Sequence, residues 1–140
     1  MSKPLANYKK YIISNGLIYI SGQLPILEGK LNYKGKILDD ISLESAKKAI
    51  QLATVNLLWV LNESLLKNNL TENKLKTINI KGYLNCKSDF FDHSLLFNES
   101  SNLLIKVLGE KKGLHSRSVI GVESLPLNSP VEIDGIFSIL

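Results

Sequence analysis

Between positions 43 and 66 apolar residues recur at Ala46, Ile50, Ala53, Leu57, Val60, Leu61 and Leu65. That spacing draws one stripe along an α-helix, and a stripe of this length must be buried against another layer of structure. Ser42 is suited to cap the helix, because its hydroxyl can accept from a free backbone N–H. Glu44 falls in the first turn, where a negative charge meets the positive end of the helix dipole. Trp59 either completes this buried face or sits at its edge, and core packing is the expected role.

The flanking segments indicate what that helix lies on. Residues 11–14 and 17–20 are β-prone runs separated by Asn15 and Gly16, the pair best able to take the positive φ angles of a two-residue hairpin turn. Residues 21–25 end the second strand, and Gly29, Asn32 and Gly35 mark residues 26–40 as a surface loop. A further strand is expected over 77–85. A second helix follows over 94–108, with Phe97, Ser101, Leu104, Ile105 and Leu108 on one face and Gly109 closing it. Strands over 116–124 and 130–139 complete the chain.

The resulting order, β-β-α-β-α-β-β, predicts a single α+β domain over residues 1–140, a mixed sheet with two helices on one face. Each helix is expected to join neighbouring parallel strands by a right-handed crossover. The second face of such a sheet has nothing in this chain to cover it. Adjacent apolar residues such as Val119 and Ile120 imply that other copies of the chain do so.

Several kinds of chemistry are disfavoured. Cys86 is the sole cysteine, so neither an intrachain disulfide nor a zinc site built from cysteines is available; it is expected to be a small core or strand residue. Residues 1–10 contain no apolar signal core, and no apolar run approaches the roughly 20 residues of a membrane span, so a cytoplasmic protein is expected. The net charge is +4, but the lysines are scattered, with no basic arm and no basic stripe carrying interleaved aromatics. Nucleic acid is therefore not the expected partner. No glycine-rich phosphate loop occurs, the two histidines form no metal-binding motif, and no cofactor is expected. Of these histidines, His115, two residues before Arg117, could line a pocket, but a solvent-facing loop is the expected place.

Arginine usage is more informative. Of 17 basic residues, 16 are lysine and one is arginine, Arg117. An arginine kept where lysine is otherwise used throughout suits a task that needs a planar fork, such as gripping a carboxylate with two hydrogen bonds. Glu132 stands between Val131 and Ile133; if those two face the core, Glu132 faces the uncovered side. Spacing alone leaves both residues open to plainer roles, in a salt bridge or at a charged sheet edge.

Their neighbours narrow the choice. Ser21-Gly22-Gln23-Leu24-Pro25, His115-Ser116-Arg117-Ser118-Val119, Leu125-Pro126 and Pro130-Val131-Glu132-Ile133-Asp134, in that order, closely resemble the RidA/YjgF family of reactive enamine/imine deaminases. Asn56-Leu57-Leu58 in the first helix resembles a divergent branch of it. The resemblance implies a chorismate-mutase-like fold and a homotrimer with three clefts between subunits. It implies hydrolysis of small enamines and imines, such as 2-aminoacrylate, to a keto acid and ammonia. Arg117 matches the arginine that grips the substrate carboxylate, and Glu132 the glutamate that positions or activates water. Tyr8, Ser21, Gly22 and Asn98 match residues that line the cleft.

The chain also departs from the pattern. The usual Gly-Pro before the tyrosine is replaced by Ala6-Asn7, Val119 stands where many relatives carry cysteine, and the loop over 26–40 is longer. A second reading is therefore a non-catalytic trimer that binds a small carboxylate metabolite and regulates a partner. The endoribonuclease activity attributed to some relatives is a third.

Overall fold

A computed structural model of the chain describes residues 3–140. Strands β1 (Tyr11–Ser14) and β2 (Leu17–Gln23) form a hairpin about Asn15 and Gly16, whose φ angles of 52° and 74° are those the turn demands. A small second hairpin, β3 (Ile26–Leu27) and β4 (Lys30–Leu31), precedes helix α1 (Leu43–Lys67). There follow β5 (Lys76–Asn85), α2 (His93–Leu108), α3 (Glu110–Gly113), β6 (Ser116–Val122) and β7 (Val131–Ser138). The main sheet has the order β1-β2-β7-β5-β6, with β5 and β6 parallel and the other pairs antiparallel.

Helix α1 begins where Ser42 accepts from the backbone N–H of Ser45 at 3.1 Å. Its stripe, with Ile50, Ala53 and Leu57 fully buried, lies over Ile18, Ile80, Ile133 and Phe137 of the sheet. Each large side chain so buried contributes roughly 1.5–3 kcal/mol. α1 is long and apolar enough to cross a bilayer, yet half of its most apolar window is buried in this core. Trp59 does not join the stripe: it sits on the outer side of α1 and is 55% exposed.

Helix α2 packs beside α1 through a buried polar contact, Thr54 Oγ1 donating to Ser100 Oγ at 2.7 Å. Ser100, rather than Ser101, therefore occupies the core face, and Ser101 is turned toward β6. The connection through α2 and α3 joins adjacent parallel strands, as expected. The one through α1 does not, because β7 lies between β2 and β5. With Val131, Ile133 and Phe137 fully buried, the last strand belongs in the middle of the sheet.

The segment over 26–40 is more ordered than a plain surface loop. Besides its hairpin, Lys36 Nζ donates to Asn85 Oδ1 at 2.9 Å and to the Glu123 carbonyl at 3.0 Å, tying the segment to the ends of β5 and β6. Cys86 is buried as expected, and burial pushes its thiol pKa up.

The helices all lie on one face of the sheet. The opposite face presents Ile12, Tyr19, Ile78 and Ile120 as exposed side chains, among Lys81, Glu132 and Asp134.

Candidate functional site

β2 pairs with β7 through Ile20 and Gly135, and again through Gln23 and Ile133. Ser21 and Gly22 together therefore oppose a single residue, Asp134, and form a β-bulge. Such a bulge bends the strand and re-aims its side chains. Here it makes room for a carboxylate: a Cβ on Gly22 would lie 2.5 Å from Glu132 Oε2, so the Glu132 side chain occupies the space that any larger residue would fill. Ser21 holds the incoming chain, its N–H donating to the Lys10 carbonyl at 2.9 Å and its hydroxyl to the Lys9 carbonyl at 2.7 Å. That attachment brings Tyr8 to the wall of a cavity of about 300 Å³, which Ser21, Gly22, Leu24, Pro126 and Glu132 also line.

Burial, reinforced by the nearby Asp134 charge, raises the Glu132 pKa above the ordinary carboxylate range. Asp134 itself accepts from the Tyr83 hydroxyl at 2.9 Å. Burial and that hydrogen bond push the Tyr83 pKa up to about 12, so the phenol remains a donor at neutral pH. A carboxyl whose charged form is disfavoured in this way is better suited to hold and pass on a proton than an exposed one, as a general acid or base must.

Arg117 stands on the edge strand β6, in register with Ile80 of β5. Ile80 is fully buried on the helix-covered face, and Arg117 points to that face too. Its guanidinium lies against α2: Nη1 donates to Ser101 Oγ at 3.0 Å, Nη2 to the Ser94 carbonyl at 2.7 Å, and Cζ sits 5.6 Å from the centre of the Phe97 ring. Burial lowers its pKa from the usual high value, but an arginine stays charged. Ser94, Phe97, Asn98 and Ser101 share one face of α2 by helical spacing, with Asn98 exposed at its rim.

His115 is on the loop before β6, as expected, but its ring is turned inward and half-buried. Nδ1 lies 2.6 Å from the Gly113 carbonyl and Nε2 2.9 Å from Ser101 Oγ.

Of the six site residues expected from sequence, Tyr8, Ser21, Gly22 and Glu132 meet in one cavity. Arg117 and Asn98 do not join them. Glu132 is in register with Tyr83 and faces the open side of the sheet, whereas Arg117 faces the helices from the strand beyond β5. Within one chain the two groups therefore lie apart, on opposite faces of the sheet. The supports of Arg117, namely Ser94, Ser101 and His115, were not among the expected site residues. The seven-residue interval between the two serines, two helical turns, was the signal for them. Among the described residues, no three His, Cys, Asp or Glu side chains converge as a metal site requires.

Comparison with known proteins agrees with this architecture. A protein-family model described as "YjgF/chorismate mutase-like, putative endoribonuclease" matches residues 1–138. The protein TCP17 of Trypanosoma cruzi is 26% identical over 133 residues, spanning 95% of this chain and 81% of its own length. Among solved structures, Atu1372 of Agrobacterium tumefaciens, a protein of unknown function, superposes with a TM-score of 0.86 at 37% identity, covering 100% of this chain and 87% of the other. TdcF of E. coli, solved with bound serine, shares the fold at a TM-score of 0.65 and 15% identity, covering 99% of this chain and 91% of the other. The chain belongs to the YjgF/chorismate mutase-like family.

Proposed function

We propose that the protein is a hydrolytic deaminase of small imines and enamines bearing a carboxylate, acting in clefts that two copies of the chain build together as a homotrimer. The observation that carries this reading is the division of the site. A carboxyl tuned for proton exchange lies on the open face of the sheet, while a guanidinium pre-set for a carboxylate lies at the opposite face's edge. Docking the open face of one copy near the β6 edge of another would join them and would cover Tyr19, Ile78 and Ile120.

In such a cleft the Arg117 fork holds the substrate carboxylate by charge-assisted hydrogen bonds. Asn98 lies beside it on α2, and Tyr8 with the Ser21–Gly22 bulge forms the facing wall. An imine carbon is already electrophilic, so orientation and one proton-transfer group suffice. Glu132 takes a proton from water as the oxygen adds to the C=N carbon, and passes that proton to the imine nitrogen. In the resulting carbinolamine Glu132 moves the hydroxyl proton to the amino nitrogen, the C=O bond forms as the C–N bond breaks, and ammonia and a 2-keto acid are released. An enamine enters the same route after protonation on carbon. The serine bound by TdcF has the size and carboxylate that this cleft would accept.

The test is an assay in which 2-aminoacrylate or 2-iminobutanoate is generated in situ and its loss is followed. Wild type should accelerate that loss, Arg117→Ala should abolish the effect, and Glu132→Gln should reduce it by about 10²–10⁴-fold. No acceleration by the wild type, or RNA cleavage in its place, would overturn the proposal.

A further inference from the structure

We propose that Ser101 and His115 are positioning residues that aim the Arg117 guanidinium, and this extends the carboxylate-binding reading above. The polarity of the chain of contacts is set by chemistry. The Gly113 carbonyl can only accept, so His115 Nδ1, 2.6 Å away, carries the proton. In the neutral ring that leaves Nε2 an acceptor, and the Ser101 hydroxyl, 2.9 Å away, donates to it. The same hydroxyl oxygen then accepts from Arg117 Nη1 at 3.0 Å. A helical serine otherwise tends to donate back to the carbonyl four residues earlier. Here His115 draws the hydroxyl proton away from the helix and directs a lone pair at the guanidinium.

The remaining contacts fix the plane of the fork. Nη2 donates to the Ser94 carbonyl at 2.7 Å, one helical face along from Ser101, and the Phe97 ring lies beneath Cζ. With one N–H of each terminal nitrogen used in this way, rotation about the Cζ–N bonds is hindered. The fork's other donors stay oriented for a bidentate partner. Such pre-organisation lowers the ordering cost of binding.

Arg117 is the sole arginine in the chain, so its guanidinium gives one set of side-chain 15N signals, which makes the test direct. In wild type and in Ser101→Thr, which keeps the hydroxyl, separate Nη signals from hindered rotation are expected. In Ser101→Ala and in His115→Phe those signals should collapse to the averaged form of a freely rotating group, with the backbone spectrum outside α2 and β6 unchanged. In the imine assay the same two variants should raise KM about 10-fold, the worth of one hydrogen bond to a charged group, with kcat nearly unchanged and Ser101→Thr close to wild type. Unaltered guanidinium signals in Ser101→Ala and His115→Phe would overturn the inference. A wild type without imine hydrolysis would remove the functional reading and leave the guanidinium signals to decide this one.

Discussion

Replacing Gly22 with alanine tests whether the bulge exists to seat a carboxylate. The added Cβ would stand 2.5 Å from Glu132 Oε2, 2.7 Å from Cδ and 2.9 Å from Cγ. All three lie inside ordinary van der Waals contact, so the carboxyl must retreat by about 1 Å, a displacement that can lower a reaction rate about 10²-fold. Gly22 is not among the residues with positive φ, so alanine meets no backbone strain there. The cost in stability should stay near that of mild overpacking, about 1 kcal/mol. Steady-state kinetics on an imine generated in situ, beside a thermal melt, separates the two effects. The expected result is a kcat about 10²-fold lower with a melting temperature lowered by only about 3 °C. A folded Gly22→Ala protein with wild-type kcat would refute the idea that the position of Glu132 matters.

Asp134→Asn removes a neighbouring charge that raises the Glu132 pKa, so the acid limb of the kcat profile should move to lower pH. A raised folded pKa means that stability falls as pH climbs from the ordinary carboxylate range through the folded value, and melts across that window should show a smaller fall in Asp134→Asn. Thr77 Oγ1 is buried and makes no hydrogen bond among the described residues. Thr77→Val should therefore stabilise the protein by about 1 kcal/mol, read as a rise in Tm of about 3 °C; a lower Tm would show that the hydroxyl has a partner. Ile120→Lys places a charge on the open face at an exposed apolar position. Light scattering should show its assembly weakened relative to wild type, and an unchanged mass would mean that this part of the face is not an interface.

The elements were legible where a local pattern fixes them. The Ala46-to-Leu65 stripe, the Asn15–Gly16 turn, the Ser42 cap and Gly109 at the end of α2 each act over a few residues, and each places its element within a residue or two of that read from sequence. What the sequence did not reveal depends on long-range packing. Trp59 falls at the edge of the stripe, and its outward orientation follows from how α1 is rolled on the sheet. The insertion of β7 between β2 and β5 is a choice among sheet orders that the same alternation permits. Within the candidate site, Glu132 could be assigned to the open face because Val131 and Ile133 bracket it. The inward turn of His115 could not, since it rests on Ser101, fourteen residues away, and on a carbonyl of α3.

Whether Arg117 of one copy and Glu132 of another serve one cleft is decided by mixing two inactive variants. Arg117→Ala and Glu132→Gln, denatured together in equal amounts and refolded, would assemble at random. If each cleft takes its arginine from one copy and its glutamate from the next, about one cleft in four is intact, so about a quarter of wild-type activity returns. Activity no higher than that of the separate variants would mean that no cleft draws its arginine from one copy and its glutamate from another.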